Sequence, residues 1–188
     1  MISASMVKEL REKSGAGMLD CKKALEATEG NMDAAIDWLR EKGISKAAKK
    51  ADRIAAEGIS AILVEGNKAV AIEVNSETDF VAKNGEFIAL TEQILDVAMN
   101  NKPESLEELL ALPMDHGTVA EIITDRIGAT GEKMELGYYE YITAPSVVAY
   151  IHPGNKLATI VGFNKENVDA DVSKDVAMQV AAMNPIAV

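Results

Sequence analysis

The feature that most constrains this chain is a change in hydrophobic spacing near residue 57. Before that point, apolar residues recur every three or four positions, in stretches that end at glycine, which is typical of short amphipathic helices. After it, runs rich in valine and isoleucine flank turn residues such as Gly66 and Asn67, which is typical of β-hairpins. Because helical stretches lie between these runs, the sequence predicts an α+β fold with antiparallel hairpins.

The first part of the chain predicts three short helices. The first ends near Gly15, the second runs from about Met18 to Thr28, and the third ends at Gly43 after two basic residues. Helical spacing assigns Met32, Trp38 and Leu39 to the core of this part. Three helices this short bury only a small core, so we expect a compact module over residues 1–43.

An alanine-rich stretch follows and predicts a connecting helix over residues 44–57. Four basic residues in it share one helical face: Lys46, Lys49, Lys50 and Arg53. Such a stripe is typical of a solvated surface or of a contact with an acidic partner, and it is weak evidence for nucleic-acid binding.

The second part predicts a core in two pieces, residues 58–146 and 147–188. Hairpins are expected at Ile59 to Val74 and at Val147 to Phe163, and helices at Phe87 to Met99, at 103–112, at 119–128 and at Val168 to Met183. In the last helix, spacing assigns Val172, Val176 and Val180 to the core.

Composition and charge narrow the function classes. The chain is 48% hydrophobic and 26% charged, as globular domains are, and no apolar run approaches the roughly 20 residues that a membrane helix needs. Its net charge is −11, with +1 in residues 1–57 and −12 in the remainder, which favours a protein partner over nucleic acid. With one cysteine and no basic, apolar leader at the start, we expect a cytoplasmic protein.

Signatures of enzyme chemistry are weak. The two Gly-Asn-Lys segments lie in predicted hairpin turns rather than between a strand and a helix, so a phosphate-binding loop is not expected. His116 and His152 have no neighbour at metal-ligand spacing. Cys21 follows a helix start, where a thiol can be activated, but free cysteine is more often simply buried. We therefore expect no enzyme activity, no catalytic residue, no metal site and no cofactor.

The most informative segment follows the first hairpin. Thr78 is placed to cap a helical turn, and Asp79 lies in its first turn, where a carboxylate is favourable. Phe80 is seven residues before Phe87 and either continues the buried stripe or projects from a rigid tip; Asn84 and Gly85 interrupt the helix between them. Spacing alone leaves both alternatives open.

Four motifs together resemble the bacterial translation elongation factor Ts family. They are residues 7–25, which include Gly-Ala-Gly-Met-Leu-Asp-Cys, then 46–51, then 78–84 with Thr-Asp-Phe-Val-Ala-Lys-Asn, and finally 177–185. The resemblance extends from about Ser3 to Pro185, with the motifs in the family's order.

The resemblance implies a guanine-nucleotide exchange factor that promotes GDP release from elongation factor Tu, without covalent chemistry. It implies that the first three helices are similar to ubiquitin-associated domains and that a basic helix joins them to the α+β core. Phe80 is then expected to project into the partner's G domain and to disturb the site that holds the nucleotide's magnesium. The partner-binding residues that it implies are Arg11, Met18, Leu19, Lys22, Lys50, Thr78, Asp79, Phe80, Val81 and His152.

Two departures from the family pattern matter. Family members usually continue for about a hundred further residues, so we expect residues 147–188 to be an incomplete part of the core. A second copy of the chain could complete it in a homodimer. In addition, Gly137 and Tyr138 stand where many relatives carry two arginines. The alternative function is a plain interaction module that binds through its first three helices and, being truncated, does not promote exchange.

Overall fold

The computed structural model describes residues 2–186. The helices in that part of the chain are α1 (Ala4–Ser14), α2 (Met18–Ala27), α3 (Met32–Ala48), α4 (Asp79–Ala82), α5 (Gly85–Asn101), α6 (Leu106–Ala111), α7 (Val119–Thr130) and α8 (Ala170–Met183). The strands are β1 (Glu57–Glu65), β2 (Lys68–Ser76), β3 (Pro113–Met114), β4 (Gly117–Thr118), β5 (Met134–Thr143), β6 (Ser146–Ile151) and β7 (Ala158–Phe163). The predicted α+β class is confirmed.

The chain forms two compact units. The first reaches from the N-terminus to Ala55 and includes Pro113–Glu135, and the second comprises Ala56–Leu112 and the chain from Leu136 onward. The sequence predicts residues 113–135 as part of the core, whereas they belong to the first unit because α7 packs on α3. The last predicted piece, 147–188, includes residues 187 and 188, which lie outside the described residues.

The core of the first unit is built from the three N-terminal helices, as predicted. Leu10, Cys21, Ala24, Leu25 and Ala35 are fully buried there. Around them pack partly buried side chains, including the three that spacing assigned to this core, Met32, Trp38 and Leu39. The helix ends follow local chemistry: the Ser3 hydroxyl caps α1, and Gly15 ends it with a positive φ of 63°.

The predicted end of the third helix at Gly43 is wrong. Helix α3 continues through Gly43 to Ala48, and the separate helix expected over 44–57 does not form. Gly43 is a contact point with α7, since a Cβ on Gly128 would lie 3.1 Å from the Gly43 Cα atom. The missing side chains allow the two helices to approach closely, so Gly43 is used here for helix packing rather than as a helix end.

Asp20 connects α2 to the far end of α3. Its two carboxylate oxygens accept from the ammonium groups of Lys42 at 2.8 Å and Lys46 at 3.1 Å. The Lys46 ammonium also donates to the Gly128 carbonyl of α7, at 2.8 Å. The hydrogen bond from Lys42, with that from Lys46, lowers the pKa of Asp20 despite its partial burial. One carboxylate therefore helps to fix three helices.

We expect Asp20→Asn to lower the free energy of unfolding by about 1 kcal/mol at pH 7. Because the pKa of Asp20 is lowered in the folded state, its stabilisation is complete above the ordinary aspartate pKa of about 3.9 and is lost as the pH falls through the lower folded value. Urea unfolding at pH 7 and in strong acid measures both effects, with exposed Asp37→Asn as the control. A difference between wild type and variant that persists unchanged in strong acid would contradict this assignment.

The second unit contains the predicted hairpins. Strands β1 and β2 pair antiparallel from Glu57 opposite Ser76 to Glu65 opposite Lys68, and β5 lies beside β2. Alternate residues of β2, among them Val70, Ile72 and Val74, are buried, and α5 packs on this hairpin. Strands β6 and β7 form a second antiparallel pair. Both hairpin predictions are confirmed.

The predicted core role of the α8 valines is wrong for Val172, which is 55% exposed. Helix α8 packs on β6 and β7 through the small side chains of Ser173 and Ala177, and the Thr159 hydroxyl donates to the Ala177 carbonyl at 3.0 Å. Small residues allow this close approach, so the valine stripe faces elsewhere. It lines an open apolar groove with Met183.

Candidate partner-binding surfaces

The first candidate surface is the tip formed by α4 in the second unit. Strand β2 ends at the fully buried Ser76, whose hydroxyl donates to the Thr78 carbonyl at 3.0 Å. The Thr78 hydroxyl accepts from the Val81 amide, so the predicted cap is confirmed. Ala82 is buried beneath the turn. The segment is therefore bonded to the end of β2 at its start, and α4 packs on the β1–β2 hairpin.

Phe80 is 83% exposed at this tip. Of the two alternatives left by the spacing, the projecting side chain is correct, as the resemblance implied. The reason is the break between α4 and α5: Asn84 accepts from the Glu86 amide at 2.8 Å and begins a new helix, so Phe80 and Phe87 are on separate elements. Val81 is half-buried beside it.

Asp79 carries the charge of the tip. Its carboxylate accepts from the Lys83 ammonium at 2.6 Å, one helical turn later. This hydrogen bond is the main cause that lowers the pKa of Asp79, and the charge of Lys156 lowers it further. Sequence reasoning gave Lys83 no role, although its spacing of four residues from Asp79 is the usual signal of such a pair. Any cation that approaches Asp79 competes with Lys83.

His152 lies in the turn between β6 and β7 and is exposed. Its Nδ1 atom is 2.8 Å from the Tyr150 hydroxyl, and the two rings meet edge-on with centroids 6.0 Å apart. When the hydroxyl donates to Nδ1, a neutral imidazole carries its proton on Nε2, which leaves that N–H available as a donor.

The second candidate surface is a groove in the first unit, between α1 and α2. Met18 is 59% exposed and Leu19 is 66% exposed, and both line it with the partly or fully buried Ile2 and Val7. Three basic residues also line it: Lys8, Arg11 and Lys22. The residues that the resemblance implied for this unit are thus brought together, except Lys50. Ile2 and Val7 were missed because their spacing indicates core.

Lys50 is used inside the first unit. Its ammonium donates to the Gly131 carbonyl just beyond α7, as that of Lys46 does to Gly128. Because α3 ends at Ala48, the four basic residues do not share one helical face, and the predicted stripe is wrong. A role for Lys50 in binding a partner stays a prediction.

The described residues contain no group of three or more histidine, cysteine, aspartate or glutamate side chains placed to hold a metal. Cys21 is fully buried, and burial raises the pKa of its thiol, as the packed interpretation predicts. Across residues 2–186, no helix is both long and apolar enough to cross a membrane.

Comparison with known proteins agrees with the motifs. Residues 77–188 match the family model described as elongation factor TS. The chain is 54% identical over 183 residues to elongation factor Ts of Porphyromonas gingivalis, which is 97% of this chain and 66% of that protein. It is 50% identical over its whole length to elongation factor Ts of Bacteroides fragilis, of which it covers 57%.

The chain belongs to the elongation factor Ts family. It spans somewhat less than two thirds of the length of these elongation factor Ts relatives. The matched region begins just before the α4 tip and includes the His152 turn, so both belong to the part that the family model describes.

Gly137, at which the family resemblance implied an arginine, lies on β5 close to the side chain of Asn75. A Cβ on Gly137 would lie 2.2 Å from the Oδ1 atom of Asn75 on the neighbouring strand. The Asn75 amide in turn donates to Glu73 at 2.5 Å. A larger residue at position 137 would therefore require the Asn75 side chain to move.

Proposed function

We propose that this chain is a guanine-nucleotide exchange factor for elongation factor Tu, acting in translation elongation in the cytoplasm. The observation that carries the proposal is Phe80, which is 83% exposed on a tip that is capped and tied to the sheet. Large aromatic side chains are normally buried. One held in solvent at a fixed position is suited to filling a pocket of another protein.

In the proposed mechanism, Phe80 enters among apolar groups of the partner's G domain and moves the elements that hold the nucleotide's magnesium. Asp79 lies beside it and exchanges Lys83 for a group of the partner. Binding of this chain then weakens the partner's affinity for the nucleotide, and the nucleotide weakens its affinity for this chain by the same ratio, because coupling between two ligands is reciprocal. The chain makes and breaks no covalent bond and needs no cofactor of its own.

We propose that the groove of the first unit docks the same partner. Met18 and Leu19 supply exposed apolar area, and Lys8, Arg11 and Lys22 supply positive charge around it. This chemistry suits a partner surface that combines apolar and acidic side chains. The groove would contribute affinity, and the α4 tip would contribute exchange.

Release of a fluorescent GDP analogue from elongation factor Tu tests the proposal. We expect the full chain to accelerate release in proportion to its concentration, and Leu19→Glu to lower the apparent affinity at least tenfold by placing a carboxylate against the apolar and acidic partner surface. Ile44→Glu, on an exposed residue of the same unit, is the control. Unchanged release at concentrations where binding is saturated would contradict exchange activity.

The alternative, an interaction module without exchange activity, predicts binding through the groove and no acceleration. It cannot be tested with residues 1–57 alone, because α3 packs on α7 and that fragment lacks α7. The full chain is therefore the correct reagent. The homodimer expected from the sequence stays a prediction, and the α8 groove is the surface that it would use.

A further inference from the structure

Glu57, the first residue of β1, is linked both to the α4 tip and to the turn that contains His152, which the family resemblance implies as a second partner contact. In the β1–β2 ladder it is opposite Ser76. Ser76 donates to the Thr78 carbonyl at the base of α4. Through its strand partner Ser76, Glu57 is therefore connected to the helix that carries Phe80.

Glu57 is also bonded to the turn that contains His152. Its carboxylate accepts from the Lys156 ammonium at 2.5 Å, across 99 residues of sequence. Three residues along β1, the Ser60 amide donates to the Asn155 carbonyl at 2.6 Å. Two bonds thus hold residues 155 and 156 on the start of β1.

These bonds constrain His152 itself. The Asn155 amide donates to the His152 carbonyl at 3.0 Å, and the His152 amide donates to the Leu157 carbonyl at 2.8 Å. The turn is compact, with positive φ at Gly154 and Asn155. When residues 155 and 156 are fixed, the backbone of His152 is fixed with them.

The charges of this turn and of α4 are close enough to act on each other. Lys156 contributes to the lowered pKa of Asp79, and Glu57 contributes to the raised pKa of Lys83, although hydrogen bonding within the Asp79 and Lys83 pair is the larger cause in each case. The ion pair of Glu57 with Lys156 therefore adds a small contribution to the charges around Asp79 and Lys83.

We propose that Glu57 is a positioning residue, which holds the His152 turn against the base of α4 so that Phe80 and His152 meet the partner as one surface. This inference rests on the proposed exchange function. Glu57 itself touches no nucleotide. Its contribution is to reduce the freedom that the turn would lose on binding.

The first test is structural and needs no partner. With two histidines in the chain, the imidazole signals are readily assigned by NMR. We expect Glu57→Gln to shift the His152 signals, to leave those of His116 in place, and to speed hydrogen exchange of the Ser60 amide about two- to fivefold. Glu65→Gln, at the other end of β1, is the control. Unchanged His152 signals together with unchanged hydrogen exchange at the Ser60 amide would overturn the proposal, whether or not the chain promotes nucleotide exchange.

The second test is kinetic and uses nucleotide release from elongation factor Tu. We expect Glu57→Gln and Lys156→Met each to slow release about two- to fivefold, and the double variant to be no slower than either. The charge exchange Glu57→Lys with Lys156→Glu should restore the rate to within about twofold. In a His152→Ala background, Glu57→Gln should cause no further loss.

The outcomes separate the two claims. If wild type accelerates release and Phe80→Ala does not, the exchange function holds. The positioning role then fails if Glu57→Gln is silent, or if it costs as much in the His152→Ala background as in wild type. If wild type does not accelerate release, the exchange function fails, and the NMR result alone decides the role of Glu57.

Discussion

Phe80→Ala is expected to slow nucleotide release from elongation factor Tu about 10- to 100-fold at a subsaturating concentration of the chain. Burying a phenylalanine side chain is worth about 1.5–3 kcal/mol, and about 1.4 kcal/mol corresponds to a factor of ten. The ring is 83% exposed in the free chain, so its removal leaves no cavity behind. The measurement is stopped-flow release of a fluorescent GDP analogue.

Stability separates a specific loss from a folding defect. Thermal unfolding of Phe80→Ala should match wild type, because the side chain packs little within its own unit. Val64→Ala, which truncates another partly exposed apolar residue of the second unit, should change neither stability nor release appreciably. Equal release rates for Phe80→Ala and wild type would remove the wedge mechanism and leave the groove as a docking surface.

The expected size of the Phe80→Ala effect also indicates how much of the differential affinity must come from other residues. To change an equilibrium by a factor of 10⁴ takes roughly 5.5 kcal/mol of differential affinity, more than one aromatic ring supplies. The remainder must come from contacts that are made only when the nucleotide site is disturbed. Asp79 beside Phe80, and His152 as the second contact that the resemblance implies, are the residues expected to share that contribution.

The sequence predicted elements where a local rule decides the structure. Alternating burial along β2, the Thr78 cap and the helix break at Asn84 all follow from residues close together in the chain. The α4 tip could be placed in this way too. Its exposure could not, because an aromatic seven residues before another is compatible with one buried stripe, and only the family motif favoured projection.

The predictions that were wrong concern positions whose structure depends on contacts with residues far along the chain. Gly43 has the signature of a helix end, but its contact with Gly128, far along the chain, makes it a site of close helix packing. Val172 of α8 has core spacing but is exposed, and the small Ser173 and Ala177 form the buried face instead. Periodicity identifies an apolar face, and it does not say which element covers that face.

For the same reason, the role of Glu57 could not be predicted from the sequence. A glutamate at the start of a strand has no distinctive pattern, and its partner Lys156 is 99 residues away. The Asp79 and Lys83 pair, by contrast, was within reach of sequence reasoning, because four residues on a helix bring side chains together. Contacts within one element can be read from spacing, and contacts between hairpins require the fold.

Gly58→Ala is expected to lower the free energy of unfolding of the second unit by at least about 3 kcal/mol. Gly58 has φ of +144°, where side chains are rarely accommodated, and an added Cβ would lie 2.2 Å from the Val74 carbonyl oxygen. The three nearest atoms all belong to the backbone of Val74 and Asn75, so no flexible side chain can give way. Urea unfolding followed by the far-ultraviolet circular dichroism signal measures the change.

Substitutions at two other glycines separate the backbone strain at Gly58 from the steric clash of the added Cβ. Gly66 has φ of +60° in open space, so Gly66→Ala carries the backbone strain alone and should cost about 1–2 kcal/mol. Gly85 begins α5 with no atom near its missing Cβ, so Gly85→Ala should be neutral or stabilising by up to about 1 kcal/mol. A Gly58→Ala loss no greater than that of Gly66→Ala would mean that β1 can shift away from Val74. That shift would move Glu57 as well, so the same variant would then show a displaced His152 signal.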